Sequence, residues 1–574
     1  MSALRALIGR VVPAPPTAAR SVHPTDPAQP WWRRSDGAAG LAWAALITLG
    51  YACWLFSATF LRGHGAFWLQ ESADLTQYIA GYNAFVREPW HWPILRITSL
   101  NAPEGTLATF LDAVPLYAVL LKLVQHGPDT PMRNPYGIWI ALCFTLQGVG
   151  AWWICREARV RSWVTLSVLA ILLASFPALT IRINHLSLMA QWLLLFGIAI
   201  YLRSGRLGRL SAGAWLAMIP MAFYINIYLC AMLSAIFLAD VLRHLNRANA
   251  ARMAVVVVAV YGLLALSLGM TMLPLAKGGN TEWGFGYYSM NIMAPFTGGS
   301  VLAIPTSLPH DGQGEGYNYL GLGVLVAAGL AWRMRRQRDP GLARRHRALL
   351  VLLAMLAVYA VSNTAYFGKV HVYDFSVLNL LGPLKDMFRS SGRFFWPVGY
   401  AIVVFGVLTM HRYLDRRHAI AALLLLGVIQ MVDLREHHKR VRASVSNVPG
   451  PAIDAARWDA FLGAGVKDLL YYPPFRCATK STPGHSLLPT MLYAVRHHYT
   501  LSTGYISRAH KPCDNYAQEI AARLTPHTAI VFETAAFEPG EIERILAAVP
   551  PTRCTTIDFA YLCRPQPQSS EMKR

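Results

Sequence analysis

The stretch "WLQESADLTQYIAGYNAFVREPWHWPILRITSLNAPEGTLATFLDAVPLYAVLLKL", residues 68–123, decides how the rest of the chain is read. It is polar, acidic and rich in tryptophan. It belongs to a longer interruption, residues 62–134, in a chain that otherwise alternates apolar runs with arginine clusters from about Gly40 to Asp433. A polytopic membrane protein that keeps a large, carboxylate-bearing insertion directly after its first span has the layout of an enzyme working at a membrane surface. Channels and carriers seldom need one. Inside the stretch, "FLDAVPLYAVLLKLV" (110–124) is apolar but short, and it carries Asp112, Pro115 and Lys122. If it crossed the bilayer, every later arginine cluster would fall on the outer side. Laid along the outer surface as an amphipathic helix, it leaves the charge pattern consistent.

Working outward, composition agrees. Of 574 residues, 54% are hydrophobic and only 14% charged, with a mean hydropathy of +0.34; a soluble chain carries about a quarter charged residues. The net charge of +22 does not indicate nucleic acid, because its arginines sit in short loops between apolar runs. The clusters are Arg156, Arg159 and Arg161; Arg203, Arg206 and Arg209; Arg243, Arg247 and Arg252; Arg333 to Arg347; and Arg412, Arg416 and Arg417. Such clusters mark cytoplasmic loops.

The hydropathy pattern predicts about eleven transmembrane helices. They cover 40–61, 135–155, 163–181, 186–202, 211–223, 226–242, 253–273, 317–332, 348–365, 394–411 and 418–432, starting inside and finishing outside. Residues 1–39, Pro-rich with Arg5, Arg10, Arg20, Arg33 and Arg34, read as a disordered cytoplasmic tail before a signal-anchor span, with no cleavable signal peptide. Residues 433–574 have soluble composition. Helix-like "DAARWDAFLGAG" and "PGEIERILAAV", strand-like "KDLLYYPP" and "TAIVFETA", and a hairpin "CTTIDFAYLC" predict a small α/β domain on the outer, periplasmic side. The fold class is therefore an α-helical polytopic membrane protein, with a membrane domain at 40–432 and a C-terminal soluble α/β domain. Cys477, Cys513, Cys554 and Cys563 in that domain are consistent with disulfides, Cys554–Cys563 first, or with free thiols. No Cys/His spacing suggests zinc.

Candidate chemistry gathers on the outer side. Glu71 and Asp74, three apart, would share one face of a helix. A carboxylate partly desolvated at the lipid–water boundary has a raised pKa and can act as a general base, though a helix cap is the other use of such an acid. In "GPLKDMFRSSGRFFWP", Lys385, Arg389 and Arg393 follow one another at steps of four and would line one helix face as a phosphate-binding stripe, or snorkel at the interface. "RINHLS" offers Arg182, Asn184 and His185 in a tight outer turn, where His185 could hold a sugar hydroxyl or sit beside a cap. In "NTEWGFGYYSMN", Glu282, Trp283, Phe285, Tyr287 and Tyr288 could stack on a sugar or isoprenoid, or anchor the interface, as could Trp90 and Trp92. The histidine pairs His437–His438 and His497–His498 lack metal-ligand spacing and are expected at the surface.

The order of these features resembles the GT-C superfamily of polytopic glycosyltransferases: a span, an acidic outer loop, a Pro-containing surface helix, further spans and an outer soluble tail. "DLTQYIAGYNAFVREPWHWP", "RINHLSLMAQWLLLF", "GFGYYSMNIMAPF", "GEGYNYLGLGVL" and "FRSSGRFFWP" resemble, more closely, an uncharacterised bacterial family of such proteins. The resemblance implies transfer of a sugar from a polyprenyl-phosphate-linked donor, with inversion, to a glycan, lipid or protein acceptor on the periplasmic face of the inner membrane. It implies that Asp74 is the catalytic acid of the first loop; beside it, the reading of the residues themselves assigns Arg389, Arg393, Lys385 and Arg182 to the donor phosphate and Glu71, Gln77, His185, Glu282 and Tyr287 to substrate. Some relatives pair two acids at this position, whereas Leu75 follows Asp74 here, so a divalent cation stays open. The other readings are a flippase for lipid-linked sugars and a non-catalytic glycan-assembly protein.

Overall fold

The computed structural model describes residues 35–71, 74–274, 283–375, 380, 382–446, 449–477, 484–507 and 511–566. The expected tail at 1–39 lies almost wholly outside them. Each of the eleven expected spans contains helix, but not each helix is a span. Among the described residues, six are long and apolar enough to cross a membrane: Ala38–Phe56, Tyr136–Glu157, Leu186–Leu207, Ile227–His244, Ala250–Thr271 and Ser391–Tyr413. Two further pairs qualify only if each bent pair counts as one span: Trp163–Ala174 with Pro177–Asn184, bent by 44°, and Arg416–Asp433 with Arg435–Ser446, bent by 49°. Among the described residues six to eight spans therefore meet that length, and the expected eleven are not confirmed. Length is the reason. Ala212–Phe223 has 12 residues and Arg347–Val361 has 15, reaching roughly 18–23 Å at ~1.5 Å per residue against a core of ~30 Å. Leu322–Arg338 spends its last turn on Arg335, Arg336 and Arg338.

Helices approach closely where side chains are absent. A Cβ on Gly148 would lie 2.2 Å from the Ala44 carbonyl oxygen, so the Ala38–Phe56 and Tyr136–Glu157 helices meet backbone to backbone at that glycine. Ala250–Thr271 packs at the edge of the bundle, where Tyr224 Oη bonds to the hydroxyls of Ser267 and Thr271 at 2.8 Å, and it leaves Val255, Val258 and Leu266 exposed. That is a lipid-facing surface.

The insertion folds into a compact cap. Its helix Asp74–Arg87 is buried from Leu75 to Val86. Glu88 ends it by accepting from the amides and hydroxyls of Thr98 and Ser99 at 2.5–2.9 Å. Pro115–Val124 is a ten-residue helix, too short to span. It exposes Leu120, Leu123 and Val124 and buries Lys122, whose ammonium donates to the Phe85 carbonyl at 2.6 Å.

The C-terminal region carries a five-stranded sheet in the order Thr500–Leu501, Asp468–Tyr472, Thr528–Glu533, Ala560–Pro565, Thr552–Ile557. The first three strands are parallel, while the last two join as an antiparallel hairpin. Cys554–Cys563 bridges that hairpin and Cys477–Cys513 forms a second disulfide. The domain docks on the insertion through backbone bonds, Leu501 N–H to Ser99 O at 2.7 Å and Ala102 N–H to Leu501 O at 2.9 Å. His437 and His438, expected at the surface, are buried, with Nε2 of His437 at 2.6 Å from Thr180 Oγ1 and Nε2 of His438 at 2.8 Å from Tyr51 Oη.

Candidate active site

The site forms where helices stop short. Asp74 is the first residue of its helix, where the helix dipole favours a carboxylate. His185 sits between two 3-10 turns, Ile181–Asn184 and Leu186–Met189. Glu315 lies in a third, Asp311–Gly316, and Arg393 in a fourth, Ser391–Phe395. The helices that follow His185, Glu315 and Arg393 end in Arg203 and Arg206, in Arg335 to Arg338, and in Arg412. The site therefore occupies the end of the bundle away from the arginine clusters.

His185 Nε2 lies 3.3 Å from Asp74 Oδ2. Both side chains stay partly open, at 27% and 37% exposure. Burial pushes the imidazole down to about 3, with Arg393 and Arg182 adding to it and Glu315 opposing. It is neutral near pH 7 and sits beside the carboxylate. Burial also raises the Asp74 carboxyl above the usual range; the charge of Glu315 adds to this, while Arg393, a hydrogen bond from Tyr505 and Arg389 pull it back. A base with a raised pKa and a fixed orientation is what proton abstraction needs.

Behind this pair lies a cationic cluster. One oxygen, Glu315 Oε2, accepts from Arg182 Nη1 at 2.7 Å and from Arg393 Nη2 at 2.7 Å, while Arg182 Nη2 donates to the Glu315 carbonyl at 2.5 Å. Burial alone would raise the Glu315 carboxyl, but Arg182 and Arg393 overcome it and hold the group well below its ordinary value. Two guanidinium groups share one carboxylate, which leaves the cluster net positive. Arg393 also lies over the Tyr228 ring at 5.0 Å and Arg182 over Trp396 at 5.7 Å. Arg389 donates to the Trp283 carbonyl at 3.0 Å and lies over Tyr288 at 5.6 Å.

Not every expected residue joins. Glu71 is not on the Asp74 helix, which starts three residues later; its carboxylate accepts from Ala452 N–H at 3.1 Å and ties the insertion to the C-terminal region. Gln77 spends its amide on the Tyr505 carbonyl at 2.8 Å. Lys385 stands on a separate short helix, Pro383–Met387, and the chain leaves helical form before Arg389, so no single stripe runs through Lys385, Arg389 and Arg393. Tyr287 stacks on His310, ring centres 4.3 Å apart at 8°. Glu282 lies outside the described residues.

Three residues that the sequence reading did not assign to the site complete the surroundings. Glu315, a lone acid in "GEGYNY", organises both arginines. Tyr505 arrives from the C-terminal region. Asp112 is exposed while Leu111, Ala113 and Val114 around it are fully buried. Two non-glycine residues there, Asp112 at φ +53° and Val114 at φ +50°, hold the left-handed region, a strained turn of the kind found at functional sites. The charges of Arg393 and Asp74 both act on the Asp112 carboxyl, so the two acids share one electrostatic neighbourhood. Its signal in the sequence was an acid inside an apolar segment. Among the described residues no group of three or more His, Cys, Asp or Glu is placed to hold a metal ion.

A family model described as a domain of unknown function, DUF6311, matches residues 45–435, and the model of the DUF6311 C-terminal domain matches 457–565. The chain belongs to the DUF6311 family. No curated protein matches it. Among solved structures, the cryo-EM structure of arabinofuranosyltransferase AftD from Mycobacteria, a GT-C protein, is similar at TM-score 0.50 and 14% identity, over 93% of this chain. This DUF6311 chain spans 40% of the length of AftD. At that identity the likeness concerns fold, and the fold is that of GT-C proteins: a multi-pass helical membrane protein with a sheet-containing C-terminal region.

Proposed function

We propose that this DUF6311 protein is an inverting membrane glycosyltransferase that takes a sugar from a polyprenyl-phosphate-linked donor. The acceptor is a cell-envelope glycan, lipid or protein on the periplasmic face of the bacterial inner membrane. Residues 1–39 are then cytoplasmic, and residues 433–574 form a periplasmic domain over the site. The observation that carries this reading is the open Asp74 carboxylate, 3.3 Å from a neutral His185 and within the field of Arg393 and Arg389.

In the reaction an acceptor hydroxyl oxygen attacks the anomeric carbon. The bond from that carbon to the phosphate oxygen breaks, the phosphate leaves with the electron pair, and Asp74 takes the hydroxyl proton. His185 flanks the carboxylate, its Nε2 3.3 Å from Asp74 Oδ2. The net positive cluster of Arg182, Arg393 and Glu315, with Arg389, stabilises the negative charge that develops on the departing phosphate. Lipid-linked donors suit the placement, since the site lies at the end of the bundle where such a phosphate meets the membrane surface. A flippase would need polar groups along the bundle, as at the broken helices of transporters, whereas the polar groups named here gather at one end.

The test is genetic and chemical. Deleting the gene should leave a lipid-linked sugar unconsumed and a surface glycan, lipid or protein lacking one sugar, both read by mass spectrometry. Asp74→Asn should reproduce that phenotype with normal protein abundance, since loss of a general base costs about 10²–10⁴ in rate. Unaltered envelope sugars in the Asp74→Asn strain would remove the catalytic assignment.

A further inference from the structure

A cavity of about 320 Å³ lies beside the turn Asp311–Gly316, within the ~300–1,000 Å³ of ordinary ligand sites. Met293, Leu308, Phe367 and Val370 form walls of it, and most of what it exposes inside is apolar. The two amide side chains in the wall are committed to other partners. Asn291 Nδ2 donates to Gln313 Oε1 at 2.8 Å and to the Gly368 carbonyl at 2.9 Å, and Asn291 Oδ1 accepts from Gly368 N–H at 3.0 Å. Gln313 Nε2 donates to Ser289 Oγ at 3.2 Å. Water finds few partners in such a hollow, whereas a hydrocarbon chain can fill it.

One wall belongs to the antiparallel hairpin of Thr364–Phe367 and Val370–Asp374. The hairpin follows helix Arg347–Val361, which exposes Leu350, Val351, Met355 and Val358 and so faces lipid. Its 15 residues reach roughly 23 Å, about 7 Å short of a ~30 Å hydrocarbon core. Phe367, Val370 and Val372 of the hairpin are exposed in turn, so the apolar surface of the helix runs on to the depth where chains meet headgroups. The hairpin is tied to the protein by Ile292 N–H, which donates to the Tyr366 carbonyl at 3.0 Å. Phe367 pairs with Val370 in register, which leaves Gly368 and Lys369 as the turn. An exposed lysine therefore stands between two apolar residues that wall the cavity.

We infer that the cavity takes one acyl chain of an anionic bilayer phospholipid whose headgroup meets Lys369. The lipid belongs to the leaflet at the end of the bundle away from the arginine clusters. The cationic cluster of the site is not its headgroup contact. Gly314 and Gly316 line the cavity, but Glu315 between them turns its carboxylate to Arg182 and Arg393. One turn thus separates cavity from cluster, and a chain hung from a phosphate on those arginines would have to cross it. A lipid held at Lys369 has no such obstacle. Its chain rests against the turn that carries Glu315, a neighbour of the site and not its substrate. The inference is independent of the glycosyltransferase reading.

The experiment reconstitutes the full-length chain in phosphatidylcholine vesicles doped with phosphatidylglycerol that carries a diazirine at the end of one acyl chain. A parallel sample receives farnesyl phosphate with a diazirine at the end of its chain. After illumination, adducts are mapped by mass spectrometry and normalised to those on the exposed face of Ala250–Thr271. The expected result is phosphatidylglycerol adducts on Met293 and Leu308. A Cβ on Gly314 meets nothing within 4 Å, so Gly314→Phe places its ring in open space, and the adducts should fall at least fivefold. Lys369→Gln should lower them about fivefold, the worth of one lysine at an anionic surface. Adducts on Ala250–Thr271 with none in the cavity, or cavity adducts unchanged in Gly314→Phe, overturn the site. Cavity adducts from farnesyl phosphate alone overturn the bilayer lipid as occupant, and adducts unchanged in Lys369→Gln overturn the headgroup contact. Should Gly314→Phe fail to accumulate, the wild-type map decides: adducts on half-buried Met293 and Leu308 support the site, and adducts confined to exposed Phe367 and Val370 overturn it.

Discussion

Glu315→Gln probes the centre of the cluster with the least change of shape. In the wild type a single oxygen accepts from Arg182 at 2.7 Å and from Arg393 at 2.7 Å, and both arginines are nearly excluded from water, at 3% and 9% exposure. The amide oxygen of glutamine can still accept, but two guanidinium charges lose their compensating anion. Breaking a buried pair costs about 3–5 kcal/mol. Glu315 keeps 24% exposure of its side chain, so water recovers part of that and the expected penalty is about 2–3 kcal/mol. Purified protein titrated with a denaturing detergent in mixed micelles, read by tryptophan fluorescence, measures it. The decisive form is a double-mutant cycle with Arg182→Gln. Removing the second charge relieves the first, so the double variant should be less destabilised than the sum by about 1–3 kcal/mol. Penalties that add to within about 0.5 kcal/mol would refute the shared-carboxylate reasoning. The pH dependence has a definite sign. The Glu315 carboxyl is depressed in the folded protein, so its contribution is present above the unfolded value of about 4.3 and is lost as pH falls through the folded one. Wild type and variant should differ at neutral pH and converge in strong acid.

Other outcomes follow from the same geometry. Because the charge of Glu315 raises the Asp74 carboxyl, Glu315→Gln should move the acid limb of turnover to lower pH; a limb moved upward would contradict the placement of these two acids. Arg389→Ala should raise the apparent KM for the lipid substrate about tenfold, the loss of one charge-assisted bond, with an unchanged KM assigning Arg389 to structure. Chain separations of 36 and 9 residues predict about 4 kcal/mol of C-terminal-domain stability from Cys477–Cys513 and about 3 from Cys554–Cys563. Limited proteolysis of Cys513→Ser and Cys554→Ser should rank them in that order, and the reverse ranking would count against loop entropy. Reporter fusions after Arg161 and after Ser446 should report cytoplasm and periplasm respectively; two signals from one side would break the proposed topology.

The alternation of apolar runs and arginines was legible because it is local, and so were the surface helix at Pro115–Val124 and the Cys554–Cys563 hairpin. The span count was not, since hydropathy registers apolar character and does not resolve a 12-residue helix from a membrane-crossing one. In the site, Asp74, Arg182, His185 and Arg393 stood out as polar groups at the ends of apolar runs. The misplaced residues share one cause. Glu71 and Lys385 were joined to their neighbours by helical spacing, whereas Glu71 lies outside the helix Asp74–Arg87 and the helix of Lys385 ends at Met387, before Arg389. The missed residues share another: Glu315 meets Arg182 across 133 positions and Tyr505 meets Gln77 across 428, distances that no periodicity reports.

Those breaks are what the site is made of. A side chain inside a regular span points at lipid or at a neighbouring helix, and non-helical backbone at that depth survives only where its polar groups find partners in the protein. Partners are supplied here in each case. Trp139 Nε1 donates to the Leu186 carbonyl at 2.8 Å beside His185, and Asn318 Nδ2 to the carbonyls of Gly316 and Gly392 at 3.0 and 2.8 Å beside Glu315 and Arg393. The single Asn318 amide therefore ties the turn carrying Glu315 to the turn carrying Arg393, and Glu315 then ties Arg393 to Arg182. With His185 three residues beyond Arg182, in contact with Asp74, the chain of contacts runs from the last-formed turn to the first loop without leaving the rim. The arginines lie in reach of the base because three separate helices begin one turn late at the same end of the bundle.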